Sequence, residues 1–134
     1  MSQENVEIVK RAIAAVNERD VDRYLSCCTK DIQLRTPWAG VAGVYEGPDD
    51  IRRFFADLGD TSSDFRIAIE RLEPIGVDRV LAFLRVTASG RASGIAAASD
   101  TPTANVYDLA DGKIKRIRIF LDREKAVEAA GLKE

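Results

Sequence analysis

The sequence of 134 residues contains no histidine, only two cysteines, and no apolar run near the roughly 20 residues that a membrane-spanning helix needs. Histidine is the side chain whose charge changes closest to neutral pH, so its absence removes most general-base and metal-site designs. No glycine-rich phosphate loop, nucleophile elbow or Cys-x-x-Cys pair occurs either. We therefore expect no metal and no cofactor, and any acid–base chemistry must use carboxylates, lysine, tyrosine or water.

The charge balance and the N-terminal residues exclude further classes of protein. A net charge of -2 gives no general attraction for nucleic acid, and the locally basic residues 113–118 are typical of a strand with one solvated face. The N-terminal segment lacks the unbroken apolar stretch of a signal peptide, which predicts a cytoplasmic protein without membrane association. The adjacent Cys27 and Cys28 lie in a helical pattern, where a mutual disulfide would be strained, so we expect both to be reduced.

Length and composition, with 46% hydrophobic residues, predict a single domain over residues 1–134. Apolar residues at helical spacing dominate its first half, interrupted by one short alternating segment. The predicted elements of this half are a helix over about 4–18, a second helix capped by Asp20, a strand over 32–36, a loop over 39–47 and a third helix from Gly47 to Gly59.

The second half has the alternation and the turns of an antiparallel meander. Asp111-Gly112 is a pair that accepts positive φ in a two-residue hairpin turn between two strands. Asp122 can cap a closing helix that Gly131 ends. The predicted strands of this half cover 64–75, 79–89, 95–109 and the residues after Gly112.

The strand over 79–89 is largely apolar on both faces. We assign the face with Leu81, Phe83, Arg85 and Thr87 to an internal pocket, and the even-numbered residues from Val80 to Val86 to the opposite face. A sheet of one domain with one solvated face should not have this pattern. We therefore expect the three helices to cover one face and a second subunit to cover part of the other, which predicts a homodimer.

Three segments resemble the SnoaL-like branch, abundant in actinobacteria, of the NTF2-like superfamily. They are VNERDVDRYL at 16–25, YEGPDDIRRFF at 45–55 and DGKIKRIRIFLDREKA at 111–126. The resemblance extends over nearly the whole chain and implies an α+β fold. That fold is a cone, with a curved antiparallel sheet covered by three helices from the N-terminal half and a short C-terminal helix. These are scaffold motifs, which say little about chemistry.

The resemblance also allows the catalytic groups of the family's enzymes to be compared with this chain. The ketosteroid isomerase tyrosine and two aspartates correspond to Ala12, Thr36 and Asn105, so all three groups are missing. The polyketide cyclases need an acid with histidines around it, and the dehydratases need a histidine and an aspartate. The Asp-Arg-Asp set of limonene epoxide hydrolase corresponds to Thr87, Arg85 and Ile119, so only the arginine is retained. Whether the protein is an enzyme stays open.

Arg85 and Asn105 are the polar residues that the pocket hypothesis depends on most. Arg85 could receive a carboxylate, phenolate or enolate of a ligand, since its planar donor fork suits such groups. It could equally pair with an internal acid such as Glu70 or Asp108, or reach solvent. Asn105 could orient a carbonyl or hydroxyl group without taking a proton, or be an ordinary buried amide with satisfied hydrogen bonds.

We predict an apolar, roughly steroid- or polyketide-sized pocket that binds a small apolar or weakly acidic organic molecule. Two alternatives remain: an isomerase, polyketide cyclase or epoxide hydrolase-type enzyme with a non-standard site, and a non-catalytic dimerisation module whose cone is filled by side chains. Trp38 and Tyr45 flank the expected mouth, where they could contact a ligand or simply pack. The predicted pocket residues are Arg85, Asn105, Thr36, Trp38, Tyr45, Thr87, Phe54 and Ile119.

Overall fold

The computed structural model describes residues 2–37, 43–61, 64–87 and 101–131. Its elements in chain order are α1 (Ser2–Glu18), α2 (Val21–Ser26), β1 (Cys28–Thr36), β2 (Gly43–Glu46), α3 (Gly47–Thr61), β3 (Arg66–Ile75), β4 (Arg79–Thr87), β5 (Thr101–Ala110), β6 (Lys113–Phe120) and α4 (Arg123–Ala129). The α+β class is confirmed. Trp38 and the predicted strand residues 88–89 and 95–100 lie outside the described residues. None of the described helices is long and apolar enough to cross a membrane.

The six described strands form one curved sheet in the order β2-β1-β6-β5-β4-β3. All neighbours pair antiparallel except β1 and β6, which run parallel, so the sheet is mixed rather than wholly antiparallel. The register shifts within the β1–β6, β3–β4 and β5–β6 pairs, and such irregularities bend and twist strands. The sheet is thereby able to wrap around the helices.

Local turn and cap chemistry explains how the second half of the chain begins and ends its elements. Asp111 and Gly112 have φ of 53° and 78°, the two positive angles of the predicted hairpin turn between β5 and β6. The side chain of Asp122 accepts hydrogen bonds from the Glu124 and Lys125 amides that open α4. Gly131, with φ of 93°, follows the end of that helix.

Helices α1, α2 and α3 pack against one side of the sheet, which we call the inner face. Their apolar residues join those of the strands in the larger core, which includes Val9, Ile13, Phe55 and Leu58. The side chain of Asn17 donates to the Ile67 carbonyl at 2.9 Å and accepts from the Ile67 amide at 2.8 Å, which fixes α1 to β3.

Helix α4 packs on the opposite side of the sheet, the outer face. Ala126 and Ala130 form a second apolar cluster there with Leu81, Ala104 and Val106. Where α4 covers the outer face of β4, the apolar residues of that face are therefore buried within one chain. The predicted homodimer through this face stays a prediction.

Two local predictions were wrong. The loop predicted over 39–47 contains β2 at Gly43–Glu46, which pairs with β1. The strand predicted over 32–36 begins earlier, at Cys28, so Cys28 lies in a strand rather than in a helix. Both cysteines are free and buried, as expected of packing residues.

Candidate functional site

A cavity lies between the three helices and the inner face of the sheet, and we call it the cone cavity. Its apolar lining includes Ile13 of α1, Leu58 of α3, and Leu84 and Val86 of β4. Every strand residue that lines it has the parity that places its side chain on the inner face. The cavity is therefore the interior of the cone that the sequence predicted.

The cone cavity is small. The centre of a water-sized sphere can occupy about 40 Å³ of it. That space is several times smaller than an apolar cavity of about 150 Å³ that accommodates benzene, and it exceeds the roughly 10–15 Å³ that one water molecule needs. Among the described residues the space is too small for a steroid or a polyketide, so the pocket of that size expected from the sequence was wrong.

One wall of the cone cavity is polar and belongs to β5. Thr103, Asn105 and Tyr107 alternate along this strand and all face the cavity. Asn105 Nδ2 donates to the Tyr107 hydroxyl at 3.2 Å, and Asn105 Oδ1 is buried with no hydrogen-bond partner in the part of the chain that the structure describes. If the amide is turned over, Nδ2 takes the unpartnered position instead, so one polar atom remains unsatisfied in either orientation.

The titratable groups at this wall stay neutral at physiological pH. Burial raises the pKa of Tyr107 to about 12, although the hydrogen bond from Asn105 acts in the opposite direction. Burial also raises the pKa of Tyr24 well above its ordinary value. No carboxylate, lysine or arginine is among the described residues of the lining. The wall can exchange hydrogen bonds with a ligand, but it holds no base for proton transfer near pH 7.

Aromatic rings close one side of the cavity. Phe54 lines it and makes an edge contact with Tyr45, with ring centroids 5.3 Å apart. The Tyr45 hydroxyl donates to Asp57 at 3.1 Å, and burial together with this bond raises the pKa of Tyr45. Tyr45 therefore supports Phe54 from behind, outside the lining itself.

The structure brings three of the predicted pocket residues together: Phe54, Asn105 and Ile119 all line the cone cavity. Thr36 is buried on the same face of β1 as the lining residue Leu34, although it is not part of the lining. Trp38 lies outside the described residues.

The assignment of Arg85 and Thr87 to the pocket was wrong. Leu84 and Val86 line the cavity, so the odd-numbered residues of β4 point to the outer face. There Arg85 Nε donates to Glu70 at 2.8 Å, which is one of the structural pairings considered above, and Thr87 is exposed at the end of the strand. Because β4 is apolar on both faces, its alternation alone could not show which face was internal.

The sequence reasoning missed Tyr107, Tyr24 and Thr103 as lining residues. Tyr107 and Thr103 lie two positions from Asn105 on either side, so the period of a strand places all three on one face. That signal was available once Asn105 had been chosen. In the described part of the chain, no three histidine, cysteine, aspartate or glutamate residues lie close enough to hold a metal ion.

Solved structures share this architecture. The protein Bal32a from a soil-derived mobile gene cassette is 22% identical, with a TM-score of 0.77, over 88% of each chain. TerC, co-crystallised with polyporic acid, is 22% identical with a TM-score of 0.76, over 93% of this chain and 96% of its own. An NTF2-like protein of unknown function from Burkholderia pseudomallei is 19% identical with a TM-score of 0.73, over 96% and 98%. These likenesses establish the NTF2-like fold.

No curated protein matches the sequence. The family comparison is more specific, because the model of the SnoaL-like domain matches residues 9–117, from within α1 to within β6. The chain therefore belongs to the SnoaL-like domain family.

Proposed function

We propose that this protein binds a small molecule with a hydroxyl group in the cone cavity, where Asn105 and Tyr107 recognise the hydroxyl. For a ligand with a ring, the apolar side chains of the lining have to move apart. The observation that carries the proposal is the buried, unpartnered oxygen of Asn105 at the wall of an otherwise apolar cavity. A buried polar atom without a partner costs about 1–3 kcal/mol, which a ligand donor would recover.

A hydroxyl group fits this wall better than a purely accepting or donating group. Tyr107 accepts from Asn105 and makes no other hydrogen bond with the described residues, so its own proton is available to a ligand. A ligand hydroxyl can donate to Asn105 Oδ1 and accept from Tyr107. It can also accept from Nδ2 if the amide is turned over, so the choice of a hydroxyl does not depend on that assignment.

The neutral lining favours binding over catalysis. An isomerase, a cyclase or a hydrolase needs a group that gains or loses a proton near the working pH. The described lining offers only tyrosines with raised pKa values, a threonine and an amide. The enzyme hypothesis therefore requires a bound water or groups outside the described residues.

Calorimetric titration with phenol and toluene tests the proposal, because the two ligands are similar in size and differ in the hydroxyl group. Wild-type protein should prefer phenol by about 5- to 30-fold, which corresponds to about 1–2 kcal/mol for the hydrogen bonds. Asn105→Leu, which keeps the branched shape and removes the amide, should reverse the preference. Arg85→Met is the matched control on the outer face and should bind both ligands as wild type does.

The outcomes separate the hypotheses. If neither ligand binds, the cone is effectively filled and the dimerisation-module alternative gains. If Asn105→Leu keeps the preference for phenol, Asn105 does not recognise the hydroxyl. If Arg85→Met alone abolishes binding, the position of the ligand is different from the one proposed.

We also propose that the chain is of the actinobacterial type of the family, is cytoplasmic and forms a homodimer. The dimer is tested by sedimentation velocity at micromolar concentration. A single species with the mass of one chain would reject it.

A further inference from the structure

We propose that the outer face of the sheet holds a second binding site, for phosphate or a small phosphate monoester, with Arg118, Arg116 and Arg35 as its ligands. The site is separate from the cone cavity, because these side chains point away from it. Arg116 and Arg118 alternate on β6 with Ile117 and Ile119, which line the cavity. Arg35 lies beside Arg118 on the neighbouring strand β1.

The centre of this region is the buried Asp108, whose side chain is only 4% exposed. Arg79 Nε donates to Asp108 Oδ1 at 2.6 Å, and Arg116 lies 2.7 Å from Oδ2. The third guanidinium, of Arg118, reaches Oδ2 only at 3.4 Å. We call Asp108 with these three arginines the arginine cluster. It has three positive charges around one negative charge, a surplus of two.

Arg118 is the member whose hydrogen-bonding needs are least satisfied. Among the described residues its Nε is buried without a partner, and its one hydrogen bond is the long contact to Asp108. Burial and the neighbouring positive charge of Arg116 lower the pKa of Arg118. A planar guanidinium with several unused donors suits an oxyanion with several acceptor oxygens.

Two described acids of the outer face, Glu70 and Glu46, contact residues outside the arginine cluster. Glu70 pairs with Arg85 and Arg123, both at 2.8 Å. Glu46 accepts from Gln33 at 2.7 Å and makes no ion pair with an arginine among the described residues. Arg35 lies next to Arg118 and makes no ion pair with any described residue. Arg118 therefore has a second arginine beside it on the neighbouring strand, while the carboxylate of Glu46, which has no ion pair in the described part of the chain, lies opposite Gln33.

The two surplus positive charges of the arginine cluster favour a ligand with about two negative charges. Phosphate and phosphate monoesters carry about -1.5 to -2 at pH 7 and present three or more acceptor oxygens. One such group would neutralise the surplus of two and could accept from both Arg118 and Arg35. A chloride ion offers one charge and no matching geometry for a guanidinium fork.

The test is thermal unfolding of the whole chain during titration with inorganic phosphate, with sodium chloride added to hold ionic strength constant. Wild type should show a saturable rise in Tm that chloride does not reproduce. Arg118→Met should abolish the saturable rise. Arg23→Met is the matched control, since Arg23 is an exposed arginine paired with Glu18 at 3.2 Å, and it should respond as wild type does.

A second readout separates the site from a general salt effect. Without phosphate, Arg118→Met should be at least as stable as wild type, because it removes an unmatched cation, and saturating phosphate should reverse that order. Arg35→Gln is a substitution at an exposed residue and should weaken phosphate binding several-fold. It tests the phosphate site even if Arg118→Met does not fold. Phenyl phosphate in parallel shows whether an ester binds better than free phosphate. A chloride-like response of wild type, or equal phosphate binding by wild type and Arg35→Gln, would overturn the proposal.

Discussion

Replacing Asp108 by asparagine should destabilise the protein more than its single negative charge suggests. The substitution keeps the size of the side chain and removes the carboxylate that accepts from Arg79 at 2.6 Å and from Arg116 Nε at 2.8 Å. Removing one partner of a buried ion pair typically costs about 3–5 kcal/mol. The arginines are 21–43% exposed and can turn partly to water, so we expect about 2–4 kcal/mol.

Urea denaturation at pH 7 measures this free energy of unfolding directly. For a chain of this length, 1 kcal/mol corresponds to about 3–4 °C in Tm, so Asp108→Asn should also melt about 10 °C below wild type. Asp22→Asn is the control, because Asp22 pairs with Arg52 at 3.0 Å while remaining 82% exposed. That control should change stability by less than about 0.5 kcal/mol.

The effect should also depend on pH in a defined direction. Burial favours the neutral form of Asp108, but the hydrogen bonds from Arg79 and Arg116 outweigh it, so the pKa of this carboxyl is lowered in the folded protein. A lowered folded-state pKa contributes stability that is complete above the unfolded-state value of about 3.9 and is lost as pH falls through the folded-state value. The difference between wild type and Asp108→Asn should therefore be largest near neutrality and shrink below about pH 4. A difference under about 1 kcal/mol at pH 7, or one that grows in acid, would refute the reasoning.

Three further predictions concern other parts of the fold. Asn17→Ala removes both hydrogen bonds to Ile67 and should cost about 2 kcal/mol in urea denaturation, whereas no loss would mean that α1 is held to β3 by packing alone. Gly112→Ala should lower the free energy of unfolding by about 1 kcal/mol, because φ at this position is 78°. Gly59→Ala in α3 should raise it by about 0.5–1 kcal/mol, because nothing lies within 4 Å of the added Cβ; thermal unfolding measures both changes. Arg85→Met should cost less than about 1 kcal/mol, since its pair with Glu70 is about one-third exposed; a larger loss would indicate a central structural role.

Features encoded by a few adjacent residues could be predicted from the sequence. The Asp111-Gly112 turn, the Asp122 cap and the Asp20 cap, which accepts from the Arg23 amide at 3.1 Å, all occur as expected. Each depends on the conformational preference of one residue or on a hydrogen bond to the next turn. Such local chemistry needs no knowledge of the tertiary structure.

Features that depend on distant pairing could not be predicted in the same way. Strand β2 has only four residues, and its pairing with β1 determines it more than its own composition does. The parallel contact of β1 with β6 joins residues about 80 positions apart, such as Leu34 and Ile117. Nothing in either segment alone specifies that partner.

The inner face of β4 could have been recognised from charge rather than from hydrophobicity. Leu81 and Phe83 share the parity of Arg79 and Arg85, and an arginine turned into the cavity would need a carboxylate there to offset the cost of burial. The described lining contains none. On the outer face, by contrast, Arg79 lies opposite Asp108 of β5 in the strand register. Opposite charges on paired strands therefore indicate that the odd-numbered residues of β4 point outward, which leaves the apolar even-numbered residues to line the cone cavity.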